Sequence, residues 1–257
     1  MAQKDYYWPT PAGTVYSVYA DMLEQSHLLI AGATGSGKST LENALIYTAL
    51  ISSPATHQFI LIDPKRVELA RYRDLPHVIQ YEDDHPLKAL QTALTITEDR
   101  YKAMQREGVQ EFTGGHVYVI IDELMPIMTD RQHRRECMPI LQKLLAISRA
   151  AHVHIWALTQ SPVRDVIPTT LKCNFDARIG LRTASRQDSR NVLDMAGCEA
   201  LPDPRSEGIA QLYYRHGSHT DLYTMARIEP AEIARVIDHW KKHRKPHFMP
   251  FVGRRRR

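Results

Sequence analysis

Gly32-Ala33-Thr34-Gly35-Ser36-Gly37-Lys38-Ser39 lies between the strand-like run His27 to Ala31 (HLLIA) and a stretch of helical spacing from Ser39 to Ile51. The octet satisfies G-x-x-x-x-G-K-[ST], the pattern of a phosphate-binding loop. Glycines let the backbone curl so that successive N–H groups point inward at phosphate oxygens. The lysine reaches the β- and γ-phosphates, and the hydroxyl after it serves a magnesium ion. A helix beginning at the loop adds the positive end of its dipole. Gly32, Thr34, Gly35, Ser36, Gly37, Lys38, Ser39 and Thr40 form the expected nucleotide-binding set, with ATP and Mg²⁺ the implied ligands.

Working outward, the chain of 257 residues is long enough to bury a substantial core, and 43% hydrophobic with 24% charged residues suits a soluble globular protein. No apolar run approaches the ~18 residues that cross a bilayer. The N-terminus lacks the charged-then-apolar order of a secretion signal, so a cytoplasmic location is expected. Cys137, Cys173 and Cys198 form no C-x-x-C pair, which argues against a disulfide framework or a zinc site. His239 and His243 sit four apart without a third ligand and read as a polar helix face.

The net charge of +4 conceals an asymmetry. From Lys241 onward there are eight basic residues and no acidic one, leaving −4 on residues 1–240. Any nucleic-acid contact on the body must therefore be local. Residues 244–257, broken by Pro246, Pro250 and Gly253, read as a basic, non-helical tail.

Taken in order, residues 1–26 read as a lead-in with a short strand and turn. Phe59 to Ile62 is a second buried strand ending in Asp63-Pro64-Lys65, where polar residues at a strand's carboxyl end face the ligand crevice of a parallel sheet. A plain strand-ending turn is the alternative. Pro86 to Glu107 predicts a long helix, with Leu87, Leu90, Leu94, Tyr101 and Met104 at helical spacing and Gly108 as its stop.

His116 to Leu124 (HVYVIIDEL) is an apolar strand ending in Asp-Glu. Asp122 is placed to hold Mg²⁺ and Glu123 to polarise an attacking water, so the two motifs together point to hydrolysis rather than binding alone. His152 to Leu158 is another strand, ending at Thr159-Gln160; the amide of Gln160 could sense the γ-phosphate or orient the water. Arg149 could serve a neighbouring subunit's site or be a solvated helix end. Ala177 to Leu181, Gly208 to Tyr213 and Leu222 to Met225 read as further strands, and Pro230 to His243 as a closing helix with Ile233, Val236, Ile237 and Trp240 inward. The alternation predicts an α/β fold, a mostly parallel sheet sandwiched between helices.

The segments HLLIAGATGSGKST, LIDPKRVELARYRDLPHV, VIIDEL, SRAAHVHIWALTQSP, SRQDSRNVLDMAG and AEIARVIDHWKKH resemble the motor domain of the FtsK/SpoIIIE family of DNA translocases, over nearly all of His27 to His243. The resemblance implies a RecA-like P-loop NTPase domain at 27–243 that assembles into a hexameric ring and draws double-stranded DNA through its channel by ATP hydrolysis. Lys38, Ser39, Asp122 and Glu123 match the family's Walker residues, Gln160 its sensor and Arg149 its trans-acting finger. Arg186 and Arg190 match basic positions facing the channel, where cations contact phosphates without reading bases. Ser161 stands where the family commonly has arginine, so one expected DNA-binding group is missing or moved, with Arg164 the candidate replacement. The resemblance also implies a minimal motor, without the anchor, linker or winged-helix module of chromosomal members, of a kind expected on a mobile element and serving an element-specific DNA-processing partner. Two other tasks fit the same residues: a conjugative coupling or viral genome-packaging ATPase, and an ATP-dependent DNA-binding scaffold without translocation.

Overall fold

The computed structural model describes residues 14–52 and 55–242, with side chains from residue 18 onward. The tail at 244–257, His243 and the first half of the 1–26 lead-in lie outside them. In chain order the elements are α1 (Thr14–Glu24), β1 (His27–Ala31), α2 (Lys38–Ser52), β2 (His57–Ile62), β3 (Val78–Glu82), α3 (Pro86–Glu107), β4 (His116–Ile121), α4 (Met125–Thr129), α5 (Arg131–Ile147), β5 (Val153–Thr159), α6 (Thr169–Lys172), β6 (Ala177–Leu181), α7 (Arg186–Leu193), α8 (Pro204–Glu207), β7 (Gln211–His216), β8 (His219–Thr224) and α9 (Pro230–Lys242). They build one eight-stranded sheet in the order β3-β2-β4-β5-β1-β6-β7-β8. The first six strands run parallel and the last two antiparallel.

Strands buried on both faces need apolar side chains at every position, which is why β1, β4 and β5 read as continuous runs. Alternate residues serve opposite layers. Leu28 and Ile30 of β1 join Phe59, Tyr118 and Trp156 in a core roofed by α1, α2 and α9. Leu29 joins Ile60, Val119 and Ile155 in a second core against α3 and α5. Ala31 meets α7 through Val192 and Leu193. Helix α2, caught between sheet, α1 and α9, is buried on almost all sides rather than along one stripe.

The expected strand in the lead-in is instead helix α1. Its β-branched and aromatic residues suggested a strand, but Tyr19, Met22 and Leu23 recur at helical spacing and are buried in the core with α2. Strand β3, VIQYE, went unforeseen because it is a half-buried edge strand with a weak apolar signal. The 86–107 helix has the expected bounds, stopped by Gly108 in the left-handed conformation (φ 65°). In α9 the four expected inward residues are buried. The three cysteines are free. Among the described residues no helix is long and apolar enough to cross a membrane.

Candidate active site

Parallel strands place all their carboxyl ends along one edge, and β2, β4, β5 and β1 are consecutive neighbours there. The loop between β1 and α2 is pinned at its start: Gly32 N donates to Thr159 O (3.2 Å) and Ala33 N to Arg182 O (2.8 Å). A Cβ at Gly32 would lie 2.4 Å from Ser36 Oγ and 2.7 Å from Leu181 Cβ. Gly35 and Gly37 take φ of 80° and 99°, which side chains with a Cβ resist. The loop thus opens directly onto the first turn of a 15-residue helix.

Lys38 is 6% exposed and its Nζ lies 3.8 Å from Asp122 Oδ1. That distance is too long for a hydrogen bond, and Asp122 Oδ1 is buried without a partner. Burial lifts the Asp122 carboxyl above its ordinary range, with Lys38 pulling the other way. An orphaned carboxylate oxygen beside the lysine that precedes Ser39 suits a hard divalent cation, so Asp122 and Ser39 fit a magnesium ion that would share phosphate oxygens. Among the described residues no three His, Cys, Asp or Glu side chains converge on a metal, so phosphates and water would supply the remaining ligands.

Glu123 is fully buried. Its Oε1 accepts from Gln160 N at 3.2 Å and from Met125 N at 3.4 Å, and its Oε2 accepts from Lys65 Nζ at 3.2 Å. Thr34 Oγ1 donates to Gln160 Oε1 at 2.9 Å, which ties the loop to the end of β5. Lys38, Asp122, Glu123, Gln160 and Thr34 therefore converge, although they come from three segments of the chain.

Arg149 does not join them. It sits in the turn between α5 and β5, 77% exposed and 3.9 Å from Asp176 Oδ1. It therefore lies at the amino end of β5, whose seven residues span roughly 20 Å at ~3.3 Å each. Arg186 and Arg190 are exposed one turn apart on α7, Arg186 Nε lying 3.3 Å from Glu199 Oε1. Arg164 is exposed in the segment after β5.

A cleft of about 520 Å³ continues from the loop toward α9. Its lining includes Asn43, Arg71, Arg205, Arg227 and Met225, none of which the motifs singled out. Arg205 Nε comes within 2.7 Å of where a Cβ on Gly35 would stand, so its guanidinium rests on the tip of the loop. Met225 and Arg227 reach the cleft because β7 and β8 fold back beside β6, and no local spacing announces that. One turn along α2 from Lys38, Glu42 is 1% exposed and neither carboxylate oxygen has a hydrogen-bond partner. Burial, reinforced by Asp122, pushes its carboxyl well above the ordinary range against the pull of Lys38.

A mostly parallel α/β sheet with a phosphate loop after β1 and a buried Asp-Glu pair after β4, with β5 between the two strands, is the RecA-like fold of P-loop ATPases. The family profile that matches residues 12–224 is narrower, and the chain belongs to the FtsK/SpoIIIE family. It is 34% identical over 250 residues to the DNA translocase FtsK of Treponema pallidum (strain Nichols), a match covering 89% of this chain and 30% of that one. To the DNA translocase FtsK of Caldanaerobacter subterraneus subsp. tengcongensis it is 38% identical over 198 residues, covering 72% and 28%. The chain thus spans about 30% of the length of these relatives. Among solved structures, the pCW3 conjugation coupling protein TcpA with ATPγS superposes with a TM-score of 0.71 at 23% identity, covering 84% of this chain and 66% of that one. B204, the DNA-packaging ATPase from Sulfolobus turreted icosahedral virus, gives 0.53 at 16% identity, covering 80% and 98%. At these identities the likeness is one of fold.

Proposed function

We propose that residues 27–243 form an ATP-hydrolysing motor that works as a hexameric ring in the cytoplasm and pulls double-stranded DNA through its channel, with 1–26 a lead-in and 244–257 a basic extension. The observation that carries this reading is the division of labour across the sheet: the binding and hydrolysis groups share one edge, while Arg149 stands exposed on the opposite one. A single subunit cannot bring its own arginine to its own phosphates, but a head-to-tail ring can supply it from the neighbour.

In this reading the backbone N–H groups of Gly32 to Ser39 and the Lys38 ammonium hold the phosphates. A magnesium ion at Ser39 and Asp122 would offset charge on the β- and γ-phosphate oxygens. Glu123 takes the proton of the attacking water as general base, and Gln160 orients that water from its anchorage on Thr34. Arg149 of the adjacent subunit stabilises the charge that develops on transfer. Arg186 and Arg190, with Arg164, contact DNA phosphates without reading bases, as transport along any sequence requires.

The test is turnover with and without duplex DNA, combined with imaging on duplex in a slowly hydrolysed ATP analogue. Stimulated hydrolysis that Lys38→Ala abolishes, and six subunits around a threaded duplex, are expected. Turnover indifferent to duplex in an otherwise active ring would sink the motor reading. An assembled ring with no directed motion in single-molecule tracking would leave a scaffold in its place.

A further inference from the structure

The turn after β2 is more constrained than its exposure requires. Asp63 is fully buried and its Oδ2 accepts from Leu69 N at 3.0 Å, while Arg66 N donates back to Asp63 O at 3.1 Å. Pro64 restricts the backbone between them. Arg66 adopts φ 57°, a left-handed conformation uncommon for a residue with a Cβ, and its guanidinium is tied to Asp83 (2.9 Å) and Asp84 ahead of α3. This framework carries Lys65 to the Asp-Glu pair at the end of β4. Lys65, 40% exposed, places Nζ 3.2 Å from Oε2 of the fully buried Glu123.

A buried carboxylate needs donors on its oxygens, and those donors fix the direction of the lone pairs that stay open. Around Glu123, two backbone N–H groups occupy Oε1. Lys38 is turned toward Asp122 instead. Among the described residues the cation that meets Glu123 is therefore Lys65, and that one contact leaves the second lone pair of Oε2 for a water.

We propose that Lys65 is a positioning residue for Glu123: its ammonium fixes the direction of the buried carboxylate so that Oε2 faces the attacking water and can accept its proton. Lys65 acts through Glu123 and needs no contact of its own with the nucleotide. The inference rests on Glu123 being the general base.

The test uses the full chain with duplex DNA and Mg·ATP. Lys65→Met lowers kcat about 10- to 100-fold, equivalent to about 1.4–2.7 kcal/mol of activation free energy, and leaves KM and nucleotide affinity unchanged. Lys65→Arg, which keeps a cation and its donors, restores most of the rate. In a Glu123→Gln background Lys65→Met adds no further loss in single-turnover hydrolysis, because a residue acting through another has nothing left to act on. Lys65→Gln serves as a second neutral variant should thermal melting show that the Met variant is unfolded. Wild-type kcat in both neutral variants would overturn the proposal. So would a raised DNA-independent rate, which would make Lys65 a restraint, or an effect on KM or one additive with Glu123→Gln, which would put it on the nucleotide. Full activity of Glu123→Gln would instead remove the underlying assignment of the base.

Discussion

Replacing Glu42 by methionine should stabilise the protein, and by an amount that grows with pH. Glu42 is buried on α2 one turn from Lys38 with both oxygens unpaired. A buried polar group left unsatisfied costs about 1–3 kcal/mol, and methionine fills nearly the same volume without one. The second contribution follows from linkage. Burial raises the folded-state pKa of Glu42 well above that of the unfolded chain, so the folded form holds a proton that the unfolded form releases. Such a group contributes fully to stability below its unfolded pKa, and the contribution is lost as pH rises toward the folded value. In that window wild type loses up to ~1.4 kcal/mol per pH unit relative to Glu42→Met. From pH 5.5 to 7.5 the gap between the two proteins should widen by up to ~2.7 kcal/mol. Urea denaturation without nucleotide at pH 5.5, 6.5 and 7.5 measures it, with Glu42→Gln as control: the amide keeps the unsatisfied polar atoms but cannot titrate. A Met-minus-wild-type difference that stays constant with pH would refute the claim that burial keeps Glu42 neutral. A Met variant less stable than wild type at every pH would refute the reading of its oxygens as unsatisfied.

Arg149→Ala should leave ATP binding intact and lower ring turnover ~10³-fold. Mixing it with Lys38→Ala subunits should return activity above either alone, and no recovery in ATPase assays of the mixture would contradict service across a subunit junction. Alanine at both Arg186 and Arg190 should weaken duplex binding and flatten the plot of log affinity against log salt by about 0.9 for each DNA phosphate no longer neutralised. An unchanged slope in salt titrations would place the DNA-binding groups elsewhere, and removing residues 244–257 tests the tail as their source. Gly37→Ala meets no side chain closer than 3.4 Å, so its effect should come from φ of 99°. About 1–2 kcal/mol of lost stability by urea denaturation is expected, together with weaker nucleotide binding; no change in either would show that the left-handed geometry is dispensable.

Where the sequence was legible, the physics was local. Gly35 and Gly37 stand where the loop turns left-handed, the apolar runs at β1, β4 and β5 are strands buried on both faces, and α3 lies between a proline and a left-handed glycine. Where it was not, the deciding interactions were distant. The residues of α1 resembled a strand until α2 supplied a surface for Tyr19 and Met22 to cover. Lys65 and Glu123 are 58 positions apart, and Asp63-Pro64-Lys65 could equally have ended a strand with no further role. Arg205 meets the phosphate loop from far downstream.

The residues from Gly32 to Ser39 and at Asp122-Glu123 thus determined by themselves that this is a P-loop protein equipped for hydrolysis, because backbone freedom and side-chain chemistry belong to each residue and its immediate neighbours. Only the tertiary structure decided which groups meet. The order β2-β4-β5-β1 sets Lys65, Glu123, Gln160 and the loop side by side, while the parallel direction of β5 carries Arg149 to the far edge. Strand order depends on how two buried faces are covered at once, a condition that no single segment of the chain contains.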